Sequence, residues 1–168
     1  NLFNEAQVEQ LFSESHFCDI RDSLKFRILI RNINPEIVFH LAAQSLVRPS
    51  YQDPIKTFST NFMGSIYLLD ALRGLSNSRV VVMVTTDKVY KTLKSRRPFS
   101  ENDELGGFDP YSASKSSQDI ISNSYKESFF KKKINFSIVR AGNIIGGGDW
   151  NLSRLVPDIY NSIINKKK

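Results

Sequence analysis

Two tyrosine–lysine pairs in the sequence have the spacing of one helical turn. Tyr111 and Lys115 follow an Asp-Pro dipeptide that is typical of a helix start, and the three residues between them are small. Tyr90 and Lys94 lie in a segment with no helical continuation, so we interpret their spacing as accidental. A phenol has a pKa of about 10 and is a poor base at neutral pH. An ammonium group one turn away stabilises the phenolate, which would allow Tyr111 to accept a proton from a hydroxyl group.

A second group of reactive side chains, Thr86-Asp87-Lys88, follows the apolar run at 80–84. The threonine hydroxyl could hold a substrate, and an acid beside an amine is the minimum for removing water next to a ketone. A lysine acts as a base only if desolvation or a nearby positive charge lowers its pKa. A solvated turn after a strand is the alternative interpretation of Asp87-Lys88.

Apolar patterns along the chain alternate between the periods of strands and helices. They predict strands at 37–41, 80–84 and 136–139, a strand fragment near 16–18, and helices at about 26–33, 55–69, 110–130 and 154–165. The run at 80–84 is typical of a strand buried on both faces. This alternation predicts a parallel sheet, which binds ligands at the carboxyl ends of its strands. Small or polar residues occupy those ends at 42–45, 85–88 and 140–143.

The composition narrows the classes of function. The chain has 168 residues, 40% of them hydrophobic, which fits one domain. With Cys18 as the single cysteine, we expect no internal disulfide, no metal site and a reducing, cytoplasmic compartment. The net charge of +6 comes without a nucleic-acid recognition motif, and no apolar run has the length of a membrane span. An anionic small substrate is therefore expected, with no nucleic-acid or membrane partner.

Glycine and histidine positions limit the nucleotide-site interpretations. No glycine precedes Gly64, whereas a dinucleotide-binding sheet carries a glycine-rich turn after its first strand. Either the chain is not a dinucleotide binder, or that first unit lies outside it. The glycines at 146–148 lack the Gly-Lys-Ser/Thr ending of a phosphate loop. His40 has no metal-ligand set around it, so we interpret it as a core residue.

Four motifs occur in an order that resembles a known family: HLAAQ at 40–44, TDK at 86–88, YSASK at 111–115 and RAGN at 140–143. Together with LGGFDP at 105–110 and IIGGGDW at 144–150, they resemble the extended short-chain dehydrogenase/reductases that act on nucleotide sugars. The 4,6-dehydratases of this family are the most similar. The resemblance implies an α/β fold, a Rossmann-type parallel sheet with helices on both faces, truncated at both ends. Lys88 stands where dTDP-glucose dehydratases carry Glu, which favours the CDP-glucose branch.

The resemblance also implies roles for individual residues. The expected catalytic residues are Thr86, Asp87, Lys88, Tyr111 and Lys115. The expected NAD-binding residues are Asp19, Ile20, Leu41, Ala42, Ala43 and Gln44, together with Tyr111 and Lys115. The expected residues for the nucleotide sugar are Ser45, Asn143, Arg154 and Leu155. In the family reaction, the tyrosine deprotonates the 4-hydroxyl while hydride passes from carbon 4 to NAD⁺. Water then leaves across carbons 5 and 6 with the aspartate as acid, and hydride finally returns to carbon 6.

Domain and partner expectations follow from the same resemblance. Residues 1–150 would form a partial NAD-binding domain without its glycine-rich first unit, and 151–168 would begin the substrate-binding region. Helices near 54–74 and 110–130 would form a homodimer. Three alternatives remain: a dehydratase for a dTDP- or UDP-sugar, an NAD-dependent epimerase, and a Rossmann module without catalytic activity.

Because the glycine-rich turn is not in this sequence, we predict that residues 1–168 alone bind NAD weakly. Isothermal titration calorimetry of the isolated chain with NAD⁺ measures this directly. Tight binding of one NAD⁺ per chain would contradict the prediction.

Overall fold

The computed structural model describes residues 2–77, 79–91, 97–131, 133–151 and 154–165. The chain divides into two units, one comprising Cys18–Gly142 and the other combining Asn1–Phe17 with Asn143–Lys168. The sheet, and most of the side chains expected to act, belong to the first unit. The expected domain division at residue 150 stays a prediction.

Three parallel strands form the sheet: β1 (Ile37–His40), β2 (Val80–Thr86) and β3 (Asn135–Ala141), in the order β1-β2-β3. In register, His40 lies opposite Met83 and Thr86 lies opposite Ala141. All three strands confirm the expected parallel arrangement. Residues 16–18 form no strand, so the expected fourth fragment is wrong. Cys18 packs instead against the hydrophobic core.

Seven α-helices are found in the described residues. They are α1 (Leu2–Glu5), α2 (Ser23–Ile33), α3 (Val47–Gln52), α4 (Pro54–Phe58), α5 (Gly64–Arg73), α6 (Pro110–Tyr125) and α7 (Leu155–Ile164). A π-helical turn, Ser59–Met63, joins α4 to α5, and another, Lys126–Phe130, extends α6. Short 3₁₀ turns cover Val8–Leu11 and Asp87–Val89. No described helix is both long and apolar enough to span a membrane.

Helix starts follow the capping signals in the sequence. The carboxylate of Asp53 accepts the Lys56 amide at 2.8 Å, and Pro54 opens α4. The carboxylate of Asp109 accepts the Ser112 amide at 2.9 Å, and Pro110 opens α6. A carboxylate at this position satisfies an amide that has no partner inside the helix. The sequence did not predict α1 or α3, because four to six residues show too little periodicity.

The hydrophobic core lies on one face of the sheet. Helices α2 and α5 and the π turn after α6 pack there, contributing Phe26, Leu68, Leu69, Leu72 and Phe130 against Val81, Met83 and Phe136. On the other face, Val80, Val82 and Val84 of β2 are half-buried, and Phe39 of β1 is 66% exposed. The expectation that residues 80–84 are buried on both faces is therefore wrong, because the alternate residues of this strand are only half-buried.

The described part of the loop before α6 contains Gly107, which packs closely against that helix. Gly107 has φ of 134°, a backbone conformation that favours glycine. A Cβ added at Gly107 would lie 2.6 Å from the amide nitrogen of Ala113 and from the carbonyl carbon of Ser112. The loop therefore closes directly against the first turn of α6.

We predict that Gly107→Ala destabilises the protein by about 1–3 kcal/mol, through backbone strain and contact with α6. Urea-induced unfolding measures the change in the free energy of unfolding. Gly146→Ala is the matched control, since a Cβ at Gly146 would meet no atom within 4 Å. Equal stability of the two variants would show that Gly107 is not under this constraint.

Candidate active site

The turn after β2 brings three expected catalytic residues together. The hydroxyl of Thr86 lies 3.1 Å from the Asp87 carboxylate and accepts the Lys88 amide at 3.4 Å. Thr86 is buried, whereas Asp87 and Lys88 are exposed. A Cβ added at Gly142, just after β3, would have one neighbour within 4 Å, an Asp87 carboxylate oxygen at 3.9 Å. The ends of β2 and β3 thus lie side by side, and the space beside Gly142 borders on Asp87.

The second reactive pair lies on α6, as the sequence predicted. Tyr111 is half-buried in the first turn, and its backbone amide donates to the Ser50 hydroxyl of α3 at 3.1 Å. The Ser114 hydroxyl donates to the Tyr111 carbonyl at 2.7 Å. Helix α3, which the sequence did not predict, thereby fixes the start of the helix that carries Tyr111 and Lys115.

Lys115 lies almost fully buried where α6 crosses β2, with 4% of its surface exposed. Its ammonium donates to the carbonyl of Val84 at 2.9 Å and to the side-chain oxygen of Gln118 at 2.5 Å. Burial lowers the pKa of Lys115 to about 8, because removing water disfavours the charged form. The two acceptors are neutral, so neither cancels the positive charge of Lys115.

The second tyrosine, Tyr90, is a structural residue. Its ring stacks on Phe99 with the centroids 4.6 Å apart, and its hydroxyl accepts from Arg140 at 3.1 Å. The stacking holds two parts of the loop after β2 together, and the hydrogen bond ties that loop to β3. This supports the interpretation that the Tyr90–Lys94 spacing is accidental, although Lys94 itself lies outside the described residues.

A buried ion pair joins α6 to β3. Asp119 is fully buried and accepts from Arg140 Nε at 2.8 Å and from Nη2 at 3.0 Å. The hydrogen bonds to Asp119 raise the pKa of Arg140. Sequence reasoning missed Asp119, and the available signal was its position one helical turn after Lys115. Because Arg140 donates to both of its oxygens, the Asp119 carboxylate is held at β3 by a bidentate ion pair.

Asn61 connects the end of β1 to α6 from within the π-helical turn. Its side chain accepts the Gln44 amide at 2.8 Å and donates to the Gln44 carbonyl at 3.0 Å and to the Ser114 hydroxyl at 2.9 Å. Sequence reasoning missed Asn61, whose signal was a polar residue within an apolar helical stripe. Turns of the π type occur frequently at functional sites.

Expected cofactor-binding residues are in different environments. The side-chain amide of Gln44 is held by Leu46 and Thr57, so it is occupied inside the protein. Leu41, Ala42 and Ser45 are exposed after β1, and Ala43 is half-buried. Because these residues are exposed, a ligand can reach the carboxyl end of β1.

Asp19 and Ile20 precede α2. The side chain of Asp19 is exposed, whereas that of Ile20 packs inside the protein. The guanidinium of Arg21 donates to the Asp19 carboxylate and holds the pKa of Asp19 at about 2. Ile20 packs on Gly64, where an added Cβ would lie 2.6 Å from Ile20 Cδ1. Asp19 is therefore an ionised acceptor at the surface, while Ile20 contacts the helix layer.

Three residues expected to contact the nucleotide sugar belong to the second unit, described by itself. Asn143 is exposed. Arg154 precedes α7, with its Nε 3.4 Å from the Asp149 carboxylate. Leu155 opens α7 and is exposed. Their expected contact with the substrate stays a prediction.

His40 is a buried residue of the helix-facing side of β1, which confirms its interpretation as a core residue. It is 5% exposed, and its Nε2 forms a 3.0 Å hydrogen bond with the Ser65 hydroxyl. Burial, with a smaller effect from the charge of Lys115, lowers the pKa of His40 to about 4. The imidazole is therefore neutral near pH 7.

Comparison with known proteins places this site in a family. The sequence profile of the family described as GDP-mannose 4,6 dehydratase matches residues 1–150. The chain belongs to this family of nucleotide-sugar dehydratases and related epimerases.

Individual relatives come from both branches. The chain is 43% identical to the CDP-glucose 4,6-dehydratase of Salmonella typhimurium, a match that covers 100% of this chain and 48% of that protein. It is 28% identical to a UDP-glucose 4-epimerase of Mycoplasma pneumoniae, covering 90% of this chain and 46% of the relative. The chain thus spans about half the length of the curated relatives it matches.

Solved structures confirm the Rossmann-type fold. A dTDP-glucose 4,6-dehydratase from Bacillus anthracis, solved with NAD, is 25% identical and superposes with a TM-score of 0.78, covering 100% of this chain and 50% of that one. The dTDP-glucose 4,6-dehydratase DesIV of Streptomyces venezuelae, a double mutant with NAD bound, is 26% identical with a TM-score of 0.75, covering 89% and 44%.

We predict that His40 makes stability depend on pH. Because its folded pKa is about 4 against an ordinary 6.5, the unfolded chain binds a proton that the folded chain resists. Stability is then full above about pH 6.5 and decreases as the pH falls toward 4. Between about pH 7 and about pH 5, the loss is on the order of 1–2 kcal/mol.

The measurement is urea unfolding of the protein and its His40→Gln variant at both pH values. The variant should lose this part of the pH dependence. His16→Gln, at an exposed position, is the matched control and should retain it. An unchanged pH dependence in His40→Gln would contradict the prediction.

Proposed function

We propose that this chain is the catalytic NAD-binding portion of a nucleotide-sugar 4,6-dehydratase whose substrate is CDP-glucose. The observation that carries the proposal is the position of two reactive pairs on adjoining elements. Asp87 and Lys88 follow β2, and Tyr111 and Lys115 lie on α6, which contacts β2 through the hydrogen bond from Lys115 to Val84. The CDP-glucose assignment is supported by Lys88 and by the relative at 43% identity.

The carboxyl ends of the strands carry residues that are compatible with binding part of a dinucleotide. Ala42 and Gly142 present a methyl group and no side chain after β1 and β3, which leaves room for a flat ligand. Asp19 offers an ionised carboxylate with acceptor capacity beyond its bonds to Arg21. In this proposal, these residues and Leu41 hold NAD. When bound, NAD⁺ supplies the hydride acceptor and donor for carbons 4 and 6 of the sugar.

The residues of the chain then move protons. The charge of Lys115 stabilises the Tyr111 phenolate, which accepts the proton of the 4-hydroxyl. Thr86 lies beside Asp87 and orients its carboxylate. The carboxyl group of Asp87, exposed after β2, donates its proton to the departing 6-hydroxyl, which leaves as water.

The base at carbon 5 has one candidate in the same turn. Lys88 is exposed, so the chain itself does not remove its hydration. In this proposal, the bound substrate covers Lys88 and provides the desolvation that a lysine base needs. An epimerase uses the tyrosine and lysine pair without an acid and base after β2, which is why Asp87-Lys88 favours the dehydratase.

The experiment uses the full-length gene product with CDP-glucose and NAD⁺. The expected product is the 4-keto-6-deoxy sugar nucleotide, identified by mass spectrometry and NMR, without net formation of NADH. A product epimerised at carbon 4 would overturn the dehydratase assignment in favour of the epimerase. Absence of any reaction with CDP-, dTDP- or UDP-glucose would favour the module without catalytic activity.

The homodimer expected from the family resemblance is also part of the proposal. The helices expected to form it carry exposed apolar side chains, including Ile55 at 82% and Ile120 at 58% exposure. Covering such side chains on association is favourable. The mass of the protein in solution, measured by sedimentation, tests this part.

We predict that Asp87→Asn slows elimination of water more than oxidation at carbon 4, by roughly 10²–10⁴-fold, the usual contribution of a general acid. Rapid-quench kinetics that separate the 4-keto-glucose intermediate from the final product measure the two steps. Glu101→Gln, which removes an exposed carboxylate elsewhere, should leave both steps unchanged. Equal loss at both steps would count against Asp87 as the acid.

A further inference from the structure

Among the described residues, no carboxylate pairs with the charge of Lys115, although one lies a single turn away. Asp119 is four residues further along α6, a spacing at which lysine and aspartate commonly pair. Arg140 instead occupies both oxygens of Asp119, at 2.8 and 3.0 Å. The group that faces the Lys115 ammonium from its own helix is the neutral amide of Gln118, at 2.5 Å.

The surroundings of Gln118 show that its side chain is directed at Lys115. Gln118 is 1% exposed. Its oxygen accepts from the ammonium, while its Nε2 is buried and has no hydrogen-bond partner within the described part of the chain. Leaving a buried amide nitrogen without a partner is unfavourable. Among the described residues, the side chain of Gln118 therefore makes one hydrogen bond, and its partner is the Lys115 ammonium.

We propose that Gln118 is a positioning residue that holds the Lys115 ammonium on β2 without neutralising it, so that the charge acts on Tyr111. A carboxylate at this position would hold the ammonium equally well but would cancel its charge. An apolar side chain would not cancel the charge, but it would remove an acceptor that stabilises the ammonium. The proposal rests on the proposed function for the roles of Tyr111 and Lys115, but the position of Gln118 is independent of the sugar substrate.

The other titratable groups around Lys115 have little effect on the charge of its ammonium. On α6, Asp119 is bound by Arg140 of β3. On β1, His40 is neutral near pH 7 because its pKa is lowered to about 4. Asp87 and Lys88 at the end of β2 are exposed, where water screens their charges. Replacing Gln118 therefore changes the field at Lys115 most directly.

The first test replaces Gln118 by Glu in the full-length gene product and measures the titration of Tyr111. The ultraviolet difference spectrum between each protein and its Tyr111→Phe counterpart isolates this phenol. We expect the apparent pKa of Tyr111 to rise by about one unit or more, because the new carboxylate cancels the ammonium charge. Ser124→Glu adds the same charge at an exposed site of α6 and should leave the titration unchanged.

The second test compares the pH profiles of turnover. In Gln118→Glu, the acid-side limb should move to higher pH. In Gln118→Met, which keeps the side-chain length but lacks the acceptor, Lys115 should lose its proton earlier, so the basic-side limb should move to lower pH. A purely structural role predicts equal loss at every pH in both variants, and that result would overturn the proposal.

The two tests separate the failure of this inference from the failure of the proposed function. The phenol titration requires no turnover, so a shifted Tyr111 pKa supports the role of Gln118 whichever sugar the enzyme uses. An unshifted titration in folded Gln118→Glu would refute the role even if CDP-glucose is the substrate. If Gln118→Glu does not fold, the basic-side limb of Gln118→Met decides the question.

Discussion

The arrangement of this protein depends on one buried charge, the ammonium of Lys115. Burying an ammonium is unfavourable unless its protons are satisfied, and here the Val84 carbonyl and the Gln118 amide accept two of them. Gln118 lies on α6 beside Lys115, whereas Val84 belongs to β2, so the hydrogen bond to Val84 is the one of the two that ties α6 to β2. The same contact brings the helix that carries Tyr111 to the strand end that carries Asp87.

A polar network spreads this constraint to the other strands. Asn61 links the backbone after β1 to Ser114, and the Asp119–Arg140 pair links α6 to β3. Buried polar groups tolerate few alternative arrangements, because each unpaired group in a low-dielectric interior is costly. The face of α6 that lies against the sheet is therefore polar, and its hydrogen bonds, more than hydrophobic contact, determine how the three strand ends meet.

The sequence predicted well those features of the fold that depend on short stretches of chain. Strand hydrophobicity gave β1, β2 and β3, and Asp-Pro capping signals located the starts of α4 and α6. It did not predict the short helix α3, the π turn at 59–63, or the half-burial of alternate residues of β2. Those features depend on contacts between distant segments, which leave no periodic signal in one stretch of sequence.

For the candidate site, the sequence by itself determined the local positions of the reactive groups. Asp87 directly follows a strand, and Tyr111 and Lys115 are one helical turn apart, so local strand and helix geometry places each of them. Only the tertiary structure decided the partners of those groups. It paired Asp119 with Arg140, not with Lys115, because β3 brings a guanidinium to that carboxylate. It also assigned the neutral Gln118 to the ammonium. A hydrogen bond between residues distant in sequence is set by packing, and packing follows from the whole fold.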